Sequence, residues 1–205
     1  MRSRLLVVLA GALLVALTWS FPLWRPLVMD DVVDEAFPGL RADLLEDFRQ
    51  LGEIEQESLL QLARQDPTMA QSMLEAALQN PVLVEEAQQA VSSLRARGNF
   101  VRIDPLHWAQ GDALVYSQAD GNHVLRFENF RAANGPDLRV MLSASPAPRS
   151  PAELNEGGLA LDLGRLKGNV GNQNYPVPAG VDPGLYNSVV IFCRRFNLVF
   201  STATL

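Results

Sequence analysis

Hydrophobic positions along this chain are arranged in successive textures. Residues 5–24 form an uncharged, largely apolar stretch, LLVVLAGALLVALTWSFPLW, directly behind Arg2 and Arg4. Residues 41–97 then place apolar side chains three and four apart: Leu44, Phe48 and Leu51; Ala70, Met73, Leu74 and Ala77; Val84, Ala87, Val91 and Leu94. That spacing predicts helices over 41–64, 67–79 and 81–97, each with one narrow apolar stripe. Asp66-Pro67 and Asn80-Pro81 read as helix starts, because a capping side chain precedes a proline that suits the first helical position. Gly98 is the expected stop.

Beyond Gly98 the period shortens. The runs FVRI, DALVYS, HVLRFENF, LRVMLS, LALDLG, YPVP, SVVIFC and FNLVF are rich in Val, Leu, Phe and Tyr and separated by Gly, Pro, Asn and Asp, which predicts short strands. Ala119-Asp120-Gly121-Asn122 predicts a hairpin turn, Asn134-Gly135-Pro136-Asp137 another turn, and residues 145–158 a Pro-rich loop. The expected fold is an all-β antiparallel sandwich over 98–205, preceded by a helical region over 30–97 and an N-terminal membrane segment over 1–29.

The leading stretch has about the 20 residues that a membrane-spanning helix needs. The arginines before it predict an N-terminus held in the cytoplasm and a single-pass protein whose remainder is extracytoplasmic. Removal of the stretch as a secretory signal is the alternative; bulky Trp19, Phe21 and Trp24 fit an interfacial anchor better than a cleavage site.

Charge narrows the partners. The formal net charge is −6, which disfavours nucleic acid. Residues 30–97 carry 14 Asp and Glu against 5 Arg, whereas 98–205 balance nine acids with nine bases. The acidic helices therefore present a solvated face, with partner binding as the alternative.

Candidate chemistry is sparse. There is no GxSxG elbow, phosphate loop, HExxH or CxxC, so the common enzyme signatures are missing. The one cysteine, Cys193, excludes an internal disulfide and stands just before Arg194 and Arg195. Two readings stay open for it: an inert core filler, as free cysteines often are, or a thiolate near a sheet rim with its pKa lowered by the arginines. An exported free thiol is prone to oxidation, which argues against a mere filler. A type-1 copper site is not assigned, since no His or Met follows the cysteine. Haem is open, with Cys193, His107 or His123 as an axial ligand, and so is the absence of any cofactor.

The segments GNFVRIDPLHWAQGDALVY (98–116), VLRFENFRAANGPDLRVMLS (124–143), LDLGRLKGNVGNQNYPVP (161–178) and VVIFCRRFNLVFSTATL (189–205) resemble the DM thirteen domain, an electron-transfer family suggested to be distantly akin to the DOMON haem and sugar domains. The resemblance covers 98–205 and implies an extracytoplasmic β-sandwich whose hallmark cysteine, here Cys193, does redox work as a bare thiol or through a prosthetic group such as haem. Phe192 stands where a tryptophan is common, and Arg194-Arg195 where a single lysine is. The glycines and amides of 166–178 suit close backbone approach and loop bracing. A ligand, if bound, is expected between that loop and Cys193, with Lys167, Tyr175 and Tyr186 as its polar edge. The resulting expectation is an envelope electron-transfer or redox-sensing protein with an unidentified redox or protein partner, and more a redox or binding protein than a turnover enzyme. The competing expectation is a non-enzymatic interaction module in which the cysteine only packs.

Overall fold

The computed structural model describes residues 11–12, 14–16, 18–21, 36–37, 39–90 and 93–205. Residues 1–35 and 36–205 form separate compact units. The described part of the first is helical, with Ser20 N–H on the Ala16 carbonyl at 2.9 Å. No helix among the described residues is long and apolar enough to cross a membrane; most of the expected span, 5–24, lies outside the described residues.

In the second unit all eight expected strands form: β1 (Ser93–Arg102), β2 (Ala109–Ser117), β3 (His123–Ala132), β4 (Leu138–Ser143), β5 (Ala160–Arg165), β6 (Val170–Val177), β7 (Ser188–Cys193) and β8 (Leu198–Thr204). They make one sheet in the order β5-β4-β7-β8-β1-β2-β3-β6, with antiparallel ladders. β1 joins the two halves of this near-barrel. Its first part pairs with β2, from Ser93 opposite Ser117 to Asn99 opposite Asp112, and Phe100, Val101 and Arg102 then pair with β8. The sheet folds over one core, in which the rings of Phe100, Phe127, Phe130 and Tyr175 meet at centroid distances of 4.8–5.3 Å.

The β2–β3 hairpin turns at Gly121, whose φ is +85°, with Gln118 N–H on the Asn122 carbonyl at 2.8 Å. β7 is buried along its whole length. Val189, Ile191 and Cys193 enter the main core, while Val190 and Phe192 join Val199 beneath Leu154 of a short helix, Pro151–Leu154. Burial on both faces explains why this strand reads as a continuous apolar run.

The helical region departs from expectation in two places. The first helix breaks at Leu51-Gly52 into α1 (Leu45–Gln50) and α2 (Glu53–Gln65). α3 (Pro67–Ala77) starts as predicted, with the Asp66 carboxylate accepting the Met69 N–H at 2.9 Å. Buried Phe48, Leu59, Met73 and Leu74 share the core of the sandwich.

The third helix does not exist. Residues 81–90 are extended, β1 begins at Ser93, and Gly98 lies inside that strand opposite Ala113. The physical reason is tertiary. β6 is the last strand of its sheet half, and its open edge offers Val84 and Glu86 the backbone partners that a helix would otherwise supply. β-branched Val82 and Val84 accept that exchange readily.

Candidate functional site

Cys193 closes β7, paired across the ladders with Leu138 on one side and Leu198 on the other. It is free and 0 % exposed. After it the chain turns through Arg194 to Asn197, the latter at φ +54°. Asp137, at the end of the β3–β4 connection, clasps this turn: its carbonyl accepts the Arg194 N–H at 3.0 Å and its carboxylate accepts the Arg194 Nε–H at 2.9 Å. Arg165 Nε stands 3.6 Å from the other carboxylate oxygen.

Burial pushes the Cys193 thiol up, and the Asp137 charge adds to the rise; backbone N–H groups of Phe196, Asp137 and Arg195 directed to the sulfur oppose it without reversing it. The expected lowering by arginine is thus overturned. Arg194 neutralises Asp137, and Arg195 lies over the Phe196 ring at 5.6 Å.

His107 is buried in the β1–β2 loop at the same end of the barrel. Its Nδ1 meets the Asp104 carboxylate at 2.6 Å, its ring lies edge-on to Phe200 at 4.7 Å, and its Nε2 has no hydrogen-bond partner among the described residues. Burial raises the Asp104 carboxyl, but the His107 bond and charge and the loop N–H groups outweigh it and hold the group below its usual range. The Asp-x-x-His spacing was the sequence signal for this pair.

His123 opens β3 opposite Ser117, with its Nδ1 3.2 Å from the Ser117 hydroxyl. That is the far end of β2 from the His107 loop, so the two histidines do not share a site. Haem does not fit at Cys193: the sulfur is sealed, and it lines none of the cavities of about 320, 240 and 220 Å³. Among the described residues no three His, Cys, Asp or Glu side chains gather as a metal site.

The motif loop between β5 and β6 is brought near Cys193 through Leu138, whose carbonyl accepts the Leu166 N–H at 2.9 Å. Tyr175 is buried; its hydroxyl donates to Gln173 Oε1 at 2.7 Å and accepts the Lys167 N–H at 3.0 Å. Burial pushes its phenol far above the ordinary tyrosine value. Lys167 Nζ lies 5.2 Å from the Tyr175 ring centre and turns outward to Glu86, at 2.7 Å. Tyr186 lies half-buried before β7, packed against the main core.

Glu86 and Arg126 escape sequence reading. Glu86 falls in the segment assigned to a helix. Arg126 is buried in β3, where it binds Glu128 at 2.7 Å, Asn174 Oδ1 at 3.0 Å and the Glu86 carbonyl at 3.1 Å. Only the alternate placing of Arg126 and Glu128 in one strand hinted at a shared face.

No curated protein and no solved structure matches the chain. A family model described as Electron transfer DM13 does match, over residues 99–205. This is slightly more than half of the chain and takes in the aromatic core, the motif loop and the Cys193 hairpin, so the protein belongs to the electron transfer DM13 family.

Proposed function

We propose that this chain is a membrane-tethered, extracytoplasmic redox module in which Cys193 is the redox-active group and acts as a bare thiol. The membership of an electron-transfer family supports a redox role, and the paired arginines before an apolar stretch support the anchor and its orientation. One observation carries the choice of group: the only sulfur of a cysteine in the chain lies under two turns, with three backbone N–H groups directed to it and the Asp137–Arg194 clasp above. Those donors stabilise a thiolate formed beneath the closed turns, while burial outweighs them and keeps the resting thiol protonated and slow to oxidise.

In the proposed reaction the thiolate attacks hydrogen peroxide. The S–O bond forms as the O–O bond breaks, sulfur loses two electrons, and the leaving hydroxide takes a proton to become water. With no second cysteine in the chain, return to the thiol requires two thiols of a redox partner, which leave as a disulfide while the oxygen departs as water.

The test uses the full chain in detergent micelles, treated with hydrogen peroxide and a sulfenic-acid-specific trap. Cys193 should be labelled under native conditions, and Arg194→Ala, which opens the clasp from a side chain 64 % exposed, should raise the labelling rate several-fold. Labelling that occurs only at the rate of global unfolding, in both chains, would refute the thiol role. A second reading, a ligand-binding module, draws on the cavity of about 320 Å³ lined by Leu59, Met73, Trp108 and Arg131; saturable binding of an apolar probe by a chain whose thiol stays inert would favour it.

A further inference from the structure

Residues 82–87 lie along the free edge of β6 in parallel register, bridging at Leu83 and Val170. Val170 N–H bonds the Val82 carbonyl at 3.2 Å, Val84 N–H the Val170 carbonyl at 2.9 Å and Glu86 N–H the Asn172 carbonyl at 2.8 Å. Side chains of the motif read the rest of this strap. Asn169 Oδ1 accepts the Val82 N–H at 2.6 Å, Asn174 Nδ2 donates to the Ala87 carbonyl at 2.9 Å, and Arg126 holds the Glu86 carbonyl. The Glu86 carboxylate receives Lys167 Nζ at 2.7 and 3.0 Å and the Asn174 N–H at 2.7 Å, and Glu85 receives Asn172 Nδ2 at 2.9 Å.

The glycines of LKGNVGNQNY clear the way. A β-carbon on Gly168 would stand 2.5 Å from the Val82 carbonyl oxygen, and one on Gly171, at φ +106°, would strike that of Val84. What the motif recognises is therefore an extended backbone and carboxylates. It makes little use of the strap's apolar side chains: Val82 and Leu83 are 53 % and 65 % exposed. A segment held by polar bonds with little apolar burial exchanges readily. The reading groups all lie within the family match at 99–205, and the strap lies outside it.

We infer that the β6 edge with Arg126, Lys167, Asn169, Asn172 and Asn174 is a docking groove for an extended acidic segment of a partner protein, occupied in cis by residues 82–87. Recognition is by strand addition: the β6 edge supplies main-chain bonds, and Lys167 with the Asn174 N–H supplies selectivity for a carboxylate. The charge fits at one position, where Lys167 meets the second of two consecutive glutamates; Arg126, paired with Glu128, reads the backbone carbonyl there. The inference is independent of Cys193.

The experiment measures binding of a fluorescent peptide, NPVLVEEAQQ (residues 80–89), to the full chain in detergent. The strap is released by Val84→Pro with Glu86→Ala, which leaves no charge in the strap to pair with position 167. The released chain should bind the peptide saturably and about tenfold or more tighter than wild type, whose tethered strap competes at high effective concentration. Lys167→Glu in the released chain should abolish binding, and a peptide with lysine in place of Glu86 should restore it. Binding no tighter than to a scrambled peptide, in a chain that still unfolds cooperatively, overturns the inference, as does equal binding by wild type. If the double variant does not fold, Glu86→Ala alone gives the same readout.

Discussion

Cys193 and Tyr175 are both acids raised by burial, and each makes a prediction at the scale of one residue. A thiol whose folded pKa exceeds its unfolded one favours the folded state while protonated. Its contribution to stability is complete below the unfolded value, about 8.5, and is lost as pH climbs from there through the folded value. Alkylation of the native chain should therefore stay slow until well above that pH, and Cys193→Ala should flatten the alkaline slope of stability in urea titrations between pH 8 and 10, roughly the window that the thiol's ordinary value opens. Tyr175 contributes by a different route. Tyr175→Phe leaves the Lys167 N–H without its partner and Gln173 Oε1 with only the Gly168 N–H at 3.3 Å, which should cost about 1–3 kcal/mol of unfolding free energy. A loss under half a kilocalorie, on the order of a neutral surface change, would mean that water replaces the hydroxyl.

Among the elements, the strap's order depends on a titrating contact. Burial raises the Glu86 carboxyl, but the Lys167 bond, the Asn174 N–H and the Lys167 and Arg126 charges outweigh it and hold the group below the ordinary glutamate value of 4.5. A depressed carboxyl stabilises the fold above its unfolded pKa, and that stabilisation disappears as pH falls through the lower folded value. Glu85 and Glu128 also face this site. Proteolysis within 78–90 should thus accelerate below about pH 4.5 while β6 stays protected. At neutral pH, Gly168→Ala should free the same segment through its clash with the Val82 carbonyl. The strap also marks the limit of what the sequence discloses. Short apolar runs and turn residues located six strands and the ends of β1 and β6, since strand-length runs and Asn-Gly or Asp-Gly turns are local properties, but residues 93–97 of β1 were read as helix and 170–174 of β6 as loop. Val84, Ala87, Val91 and Leu94 carried helical spacing, yet Val84 is claimed by β6, a strand about 85 residues further on, and Leu94 by β2. Cys193 was legible as the singular residue and the motif loop as its neighbour. The carboxylate on Lys167 was not, because no local pattern encodes a partner from another segment.

At the scale of the whole molecule, the helices and the sandwich share one interior. Phe48, Leu59, Ala63, Met73 and Leu74 belong to the same buried cluster as Phe100, Phe127 and Phe130, so removing α1–α3 exposes the helix-facing side of the barrel core. A cut at Gly98 does more damage, since it also removes Ser93 to Arg97, which pair with β2. Three lengths separate these effects. The chain from residue 36 should unfold in one cooperative transition, because helices and strands stand in a single compact unit. The chain from residue 93 keeps every strand but loses the helical cover, and burying a large apolar side chain is worth about 1.5–3 kcal/mol. It should therefore melt many degrees lower and bind a hydrophobic dye. The chain from residue 98 should be the least stable of the three, with β2 bare along its outer register. If the chains from residues 36 and 98 melted at the same temperature, the helices would be a tether and the sandwich would stand alone.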